Sequence, residues 1–186
     1  MKDLDFIEDY FDRYRKSIFD ENILGDIIKM KNLINDLKSQ EKKIIVAGNG
    51  GSAAMASHVS VDYTKVGGIR TINFNESDLI TCFANDYGYE KWVSKALEAY
   101  GDKGDLVILI SSSGTSKNMV NAAQAAKLLD MKVVTFSGFD RNNPLSKEGE
   151  INFWVNSKAY NIIECTHQIW LLMVCDLLFG KAEYPA

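Results

Sequence analysis

Three short groups of residues in this sequence have types and spacings that could perform chemistry. The stretches 48-GNGGS-52 and 111-SSSGTS-116 combine glycines with hydroxyl side chains, and His58 and Asp62 lie four residues apart. On a helix, a spacing of four places both side chains on one face. Backbone N–H groups and hydroxyls suit an anion, and a His–Asp pair can transfer a proton or bind a divalent metal ion.

The first glycine-rich stretch, 48-GNGGS-52, follows a predicted strand and precedes a predicted helix. Glycine lets backbone N–H groups approach an anion closely, and a helix N-terminus attracts phosphate. We expect Asn49, Gly50 and Ser52 to bind a phosphate group, with a tight strand-to-helix turn as the simpler alternative. Because Ala53 stands where G-x-G-x-x-G needs its third glycine, and the Lys of a Walker loop is missing, we expect no nucleotide cofactor.

The second stretch, 111-SSSGTS-116, carries five hydroxyls in six residues. Hydroxyls are neutral donors that can surround a phosphate without adding charge. An exposed loop with one helix-capping residue is the alternative, but a cap explains a single hydroxyl. We therefore predict that phosphate is bound by the serines of this stretch, Ser111, Ser112, Ser113 and Ser116.

The elements around these stretches alternate between short β-branched runs and amphipathic segments. This pattern predicts an α/β fold, a three-layer sandwich with a parallel sheet covered on both faces. Ligands bind such sheets at the carboxyl ends of the strands, where both stretches lie. The predicted strands are 43–47, 69–74, 105–110, 132–137 and 151–155. The predicted helices are 3–20, 22–39, 52–65, 76–84, 88–100, 115–129 and 159–179.

Composition excludes several classes of protein. The net charge of the 186 residues is −4 and there is no basic stripe, so we expect no nucleic-acid partner. The three cysteines form no C-x-x-C pair, which is typical of a reducing compartment. The charged N-terminus is unlike a signal peptide, and no segment looks apolar enough to span a membrane. We predict a cytoplasmic protein that does not enter membranes.

Three motifs in order, 48-GNGGSAA-54, 84-ANDYGYE-90 and 110-ISSSGTS-116, give the chain a family resemblance. It resembles the sugar isomerase (SIS) domains, and among them the sedoheptulose 7-phosphate isomerases, also called phosphoheptose isomerases. The resemblance implies a single domain over 1–186 with a five-stranded parallel sheet of flavodoxin-like type. It also implies a sugar phosphate ligand and a homotetramer in which the helical N-terminal part, 1–40, packs between subunits.

The resemblance also assigns catalytic positions, and here the sequence departs from the family pattern. The family uses a Glu in H-x-x-x-E and a late His in Q-E-x-H-x-x-x-x-H. In this chain Asp62 stands in place of that Glu, Glu164 in place of the Gln, and Leu172 in place of the late His, while His167 matches the intermediate His.

These departures leave two interpretations open. In the first interpretation the protein is an isomerase with a rebuilt site, and Asp62, Glu164 and His167 are the catalytic candidates. A Zn²⁺ ion would be bound by His58, Asp62 and Glu164, because some family members bind zinc with the same side chains. In the second the protein binds a sugar phosphate without turnover, and His167 is then a core or interface residue.

The motif 84-ANDYGYE-90 supplies two further candidates. Asn85 and Asp86 could hydrogen-bond to sugar hydroxyls, or they could serve only the turn before Gly88. We expect Asn85 and Asp86 to belong to the substrate-binding residues.

Overall fold

The computed structural model of the protein describes residues 2–184, so the predicted domain bounds of 1 and 186 lie outside this range. Five strands form one sheet in the order β2-β1-β3-β4-β5, and each adjacent pair is parallel. The strands are β1 (Ile44–Gly48), β2 (Thr71–Asn73), β3 (Leu106–Ser111), β4 (Lys132–Ser137) and β5 (Ile151–Trp154).

Helices cover both faces of this sheet, which confirms the predicted α/β fold class. Two short 3₁₀ turns, Glu21–Ile23 and Leu145–Lys147, complete the secondary structure of the described residues. The α-helices are α1 (Asp3–Ile18), α2 (Leu24–Ser39), α3 (Gly51–Lys65), α4 (Ser77–Tyr87), α5 (Trp92–Tyr100), α6 (Lys117–Leu128) and α7 (Tyr160–Phe179).

The sheet has a hydrophobic core on each face, and strand periodicity assigns residues to them. Along β3, Ile108 and Ile110 join the core formed with α2, α3 and α7, whereas Val107 and Leu109 join the core formed with α5 and α6. All four side chains are fully buried. Because both faces are covered, the strand reads as a continuous apolar run rather than an alternating one.

The connections around β1 and β3 create a crevice at the carboxyl edge of the sheet. These strands are neighbours, yet α3 follows β1 onto one face and α6 follows β3 onto the other. This is a topological switch point, where the two loops diverge and leave room for a ligand. Both glycine- and serine-rich stretches therefore reach the same place.

The final helix, α7, corrects one expectation from the sequence. By length and composition it could cross a membrane, although none of the predicted segments had seemed apolar enough. Its apolar character has a different cause in this fold, because Ile163, Trp170 and Val174 are buried in the core beneath the sheet. A core helix of a large α/β protein passes the same composition test.

Candidate functional site

The first loop turns sharply between β1 and α3. Gly50, the residue that precedes α3, has φ +55°, a conformation that favours glycine. A Cβ on Gly48 would lie 2.6 Å from the Cβ of Ser52, and one on Gly51 would overlap the carboxylate of Glu164. The glycines therefore allow the backbone to pass close to two other parts of the site.

The second loop runs from the end of β3 to the N-cap of α6. Ser111 is the last residue of the strand and Ser116 is the N-cap, and the Ser111 hydroxyl donates to Ser116 Oγ at 3.0 Å. Ser113 Oγ lies 2.9 Å from the hydroxyl of Thr115. Gly114 has φ +68°, and a Cβ there would overlap the amide of Asn143. The loop conformation thus depends on glycine at this position.

The two loops line a single small cleft of about 140 Å³. Within the described part of the chain its lining contains no Lys or Arg, so hydroxyls and the N-termini of α3 and α6 provide its donors and partial positive charge. Its lining residues are Asn49, Ser52, Ile110, Ser111, Ser112, Ser113, Ser116, Tyr160 and Glu164. These include every residue predicted to bind phosphate except Gly50, which forms the turn beside it.

Sequence patterns did not single out the residues that orient Asn49. Its side chain exchanges two hydrogen bonds with Asn118, at 3.0 and 2.8 Å, and Tyr89 donates to its Oδ1 at 3.0 Å. Asn118 lies two residues after the serine-rich stretch, and Tyr89 belongs to 84-ANDYGYE-90, so both were adjacent to recognised motifs. Tyr160, an exposed residue of the cleft wall, carried no such signal.

Asn85 and Asp86 lie outside the cleft of the single chain. Both are exposed near the end of α4, where the Asn85 amide donates to Asp86 Oδ1 at 2.9 Å. In this chain it is Tyr89 that connects their motif to the phosphate loops, through Asn49. Contact of Asn85 and Asp86 with a sugar stays a prediction.

His58 and Asp62 form the predicted pair on α3. His58 Nε2 lies 3.2 Å from Asp62 Oδ2, with the imidazole 56% exposed and the carboxylate side chain 21% exposed. The other ring nitrogen, Nδ1, lies 3.1 Å from Nε2 of Gln168 on α7. No sequence pattern pointed to Gln168, because its contact with His58 arises from the packing of α7 beside α3.

Glu164 lies with the phosphate loops. Ser112 donates to its Oε1 at 3.3 Å, and its carboxylate approaches the backbone of Gly51. In residues 2–184, no three His, Cys, Asp or Glu side chains form a group that could hold a metal ion. The expected set of His58, Asp62 and Glu164 is therefore not assembled within one chain.

His167 does not belong to the site, which corrects the prediction that it is catalytic. Its side chain is 0% exposed, its ring packs edge-on against Phe136, and one ring nitrogen lies 3.1 Å from the Ser137 carbonyl oxygen. Burial lowers the pKa of His167 to about 4, although the hydrogen bond with Ser137 acts in the opposite direction. Neutral and enclosed, it cannot contact a substrate.

Farther along α3 and α7, acidic side chains raise the pKa values of their neighbours. Burial raises the pKa of Asp176, and the nearby charge of Asp62 raises it further. Burial also raises the pKa of Cys175 to about 11, with Asp62 and Asp176 adding to the effect. Leu172 is half-buried against the core, so no proton-transfer group stands at that position.

Comparison with known proteins agrees with this architecture. The SIS domain model matches residues 9–138. The phosphoheptose isomerase of Sulfurimonas denitrificans is 32% identical over 164 residues, covering 85% of this chain and 84% of that protein. The phosphoheptose isomerase of Helicobacter pylori is 37% identical over 154 residues, covering 78% of each chain.

A solved structure supports the fold on independent grounds. The phosphoheptose isomerase from Francisella tularensis superposes with a TM-score of 0.89, over 97% of this chain and 100% of that chain, at 24% identity. At 24% identity this similarity shows the fold alone. Taken with the sequence matches, it shows that the chain belongs to the SIS domain family and is related within it to the phosphoheptose isomerases.

Proposed function

We propose that this protein is an aldose–ketose isomerase of the sedoheptulose 7-phosphate isomerase type, acting in the synthesis of heptose or surface-polysaccharide precursors. The cleft formed by the two hydroxyl-rich loops at the β1–β3 switch point carries the proposal, because it supplies a site for a phosphate group. The names of the relatives, phosphoheptose isomerases, supply the sugar.

The reacting end of the sugar would lie along α3, toward His58 and Asp62. His58 is seven residues beyond the start of the helix at Gly51, which corresponds to about 10 Å along the helix axis. Asp62, the proposed base, is eleven residues beyond Gly51, or about 16 Å, and its side chain leans back toward the helix N-terminus beside His58. In this proposal the two loops form the phosphate end of the site, and His58 and Asp62 form its reaction end.

Isomerisation requires a base that moves a proton between adjacent carbons. In the proposed reaction Asp62 removes the proton from the carbon next to the carbonyl group, an enediol forms, and the proton returns to the neighbouring carbon. A second proton passes between the two oxygens, and His58 and Glu164 are the side chains proposed to orient them. His167 has no part in this scheme.

Binding of Zn²⁺ by His58, Asp62 and Glu164 stays a prediction. In their present positions these three side chains do not form a metal site. His58 Nε2 faces Asp62 and its Nδ1 is hydrogen-bonded with Gln168, while Glu164 contacts Ser112. A zinc site would need Glu164 to turn, or a second subunit to supply a ligand. Elemental analysis of purified protein checks it, and less than about one ion per several chains would contradict it. The isomerase proposal needs neither this ion nor a nucleotide.

We also propose a homo-oligomer, a tetramer by resemblance, in which the N-terminal part (1–40) packs between subunits. Helix α1 has no buried residue, and its apolar side chains Leu4 and Phe11 are 65% and 63% exposed. Such a stripe is typical of a helix that packs against another surface. Serine at both positions should reduce the mass measured by light scattering, whereas serine at Glu8 should leave it unchanged.

The last part of the proposal concerns where the protein acts and what it binds. The chain would act as one domain in the cytoplasm, on a soluble sugar phosphate, without nucleic-acid or membrane partners. Support comes from the net charge of −4 and from α7, where Ile163, Trp170 and Val174 are buried in the core. Fractionation of cells that produce the tagged protein would test the location.

Conversion of sedoheptulose 7-phosphate by purified protein tests the activity. Wild type should produce the aldose phosphate, and Asp62→Asn should lower kcat at least about 100-fold, as expected for loss of a general base. Asp130→Asn, at an exposed position between α6 and β4, is the matched control. If wild type binds the sugar phosphate but turns it over no faster than Asp62→Asn, the non-catalytic alternative replaces this proposal.

A further inference from the structure

We propose that Gln168 is a positioning residue for the reaction end of the site. Its side-chain amide fixes the imidazole of His58 so that His58 in turn fixes the carboxylate of Asp62. This inference rests on the proposed isomerase function for its catalytic meaning, while the contact itself can be tested without turnover.

The protons that Asp62, His58 and Gln168 can carry decide which group donates in each contact. His58 Nε2 lies 3.2 Å from Asp62 Oδ2, and an ionised carboxylate can only accept, so a neutral His58 facing it carries its proton on Nε2. In the neutral ring Nδ1 is then an acceptor, and the Gln168 amide NH₂ at 3.1 Å is its donor. The resulting order, Gln168 to His58 to Asp62, selects a single tautomer of the imidazole.

The packing of α7 beside α3 makes Gln168 the residue that can do this. Glu164, Gln168 and Leu172 follow one another at intervals of four on α7, and therefore lie on one face of it. Glu164 is hydrogen-bonded at the phosphate loops, and Leu172 packs against the core. Of these three side chains, the middle one is the one hydrogen-bonded with the imidazole of His58.

A neutral amide suits this position better than a charged group. Asp62 already raises the pKa of Asp176, after the larger effect of burial, so a further carboxylate would increase the repulsion. A cation would instead compete with His58 for Asp62. The amide orders a ring that is 56% exposed without changing the local charge.

Double-mutant kinetics provide the first test. Gln168→Leu should lower kcat about tenfold, the effect of one lost hydrogen bond, with KM changed less than about twofold because the phosphate loops are intact. In a His58→Ala background the same substitution should have almost no further effect. Gln124→Leu, on the exposed face of α6, is the control. Independent, multiplying effects of Gln168→Leu and His58→Ala would overturn the proposal.

Nitrogen NMR of the imidazoles provides a test that does not need activity. The chain has only two histidines, so a His167→Gln variant assigns their signals. When its ring is neutral, wild-type His58 should carry its proton on Nε2. Its Nδ1 signal should move toward that of an unbonded nitrogen in Gln168→Leu. A proton on Nδ1, or an unchanged Nδ1 signal, would overturn the positioning role even if turnover is normal. A wild type without turnover that gives the expected spectra refutes the isomerase function alone.

Discussion

The phosphate end and the reaction end of the candidate site are built in different ways. At the phosphate end, hydroxyls and backbone N–H groups of two loops meet where β1 and β3 end, and glycines such as Gly50 and Gly114 fix the turns. At the reaction end, His58 and Asp62 on α3 meet Gln168 on α7. The first end depends on local backbone geometry, and the second depends on how two helices pack.

This difference shows what each end tolerates. Loop geometry follows from residue types that lie close together in the sequence, so it can be preserved while the side chains elsewhere change. Helix-borne groups meet only if both helices present the correct face, and one substitution can replace the partner.

The largest expected effect would come from breaking the phosphate end. Ser111→Ala combined with Ser113→Ala removes two hydroxyls of the cleft, and each hydrogen bond to a charged group contributes about 1.5–3 kcal/mol. Affinity for sedoheptulose 7-phosphate should fall at least about 100-fold by calorimetry, and the ligand should no longer raise the melting temperature. Ser39→Ala, at the exposed end of α2, is the control. Unchanged affinity would show that the phosphate is bound elsewhere.

The sequence predicted the fold well, and it also predicted that the two hydroxyl-rich loops lie at the same edge of the sheet, for a shared physical reason. Fully apolar strands, helical periodicity and glycine-rich strand ends are local patterns, and the switch point follows once two such loops are assigned to neighbouring strands. The predicted strand 132–137 agrees with β4, and the predicted helix 159–179 starts one residue before α7.

The reaction end was less predictable because the rotation of α7 about its axis decides which side chains face the cleft, the core or His58. Glu164 and His167, both catalytic candidates from the sequence, are three residues apart, which leaves about 60° between them on a helix. That rotation is enough for Glu164 to reach the cleft and His167 to enter the core. Gln168, about 40° to the other side of Glu164, contacts His58 instead. No local pattern distinguishes these outcomes.

A second prediction uses His167 to test this division between core and cleft. Its pKa is about 4 in the folded protein, against an ordinary value of 6.5, because burial disfavours the charged ring. Between these values the unfolded state binds more protons, so stability is lost as the pH falls through that window, by up to about 3 kcal/mol.

His167→Gln should therefore flatten the dependence of unfolding free energy on pH between about 6.5 and 4. Glutamine has no such titration and can still donate to the Ser137 carbonyl oxygen. Urea unfolding across that pH range measures the effect, with His58→Gln as the control, which should leave the pH dependence contributed by His167 in place. If the unfolding free energy of His167→Gln depended on pH as steeply as that of wild type, His167 would have to be accessible to solvent. The distinction between a buried His167 and a cleft-lining Glu164 on α7 would then be wrong.

The smallest effect concerns Glu164, which lies at the boundary between the two ends. Its carboxylate lines the cleft that is proposed to hold a phosphate, so the two negative charges should repel each other. Glu164→Gln keeps the shape and can still accept from Ser112, so inorganic phosphate should bind about fivefold more tightly, as expected for removal of about 1 kcal/mol of repulsion. Glu98→Gln, on α5, controls for net charge. If Glu164 also orients the sugar oxygens, kcat should fall while phosphate affinity rises, and this opposite change would place its carboxylate in contact with both ends. Weaker phosphate binding would instead mean that Glu164 holds the loops in place, and the boundary would then belong to the phosphate end alone.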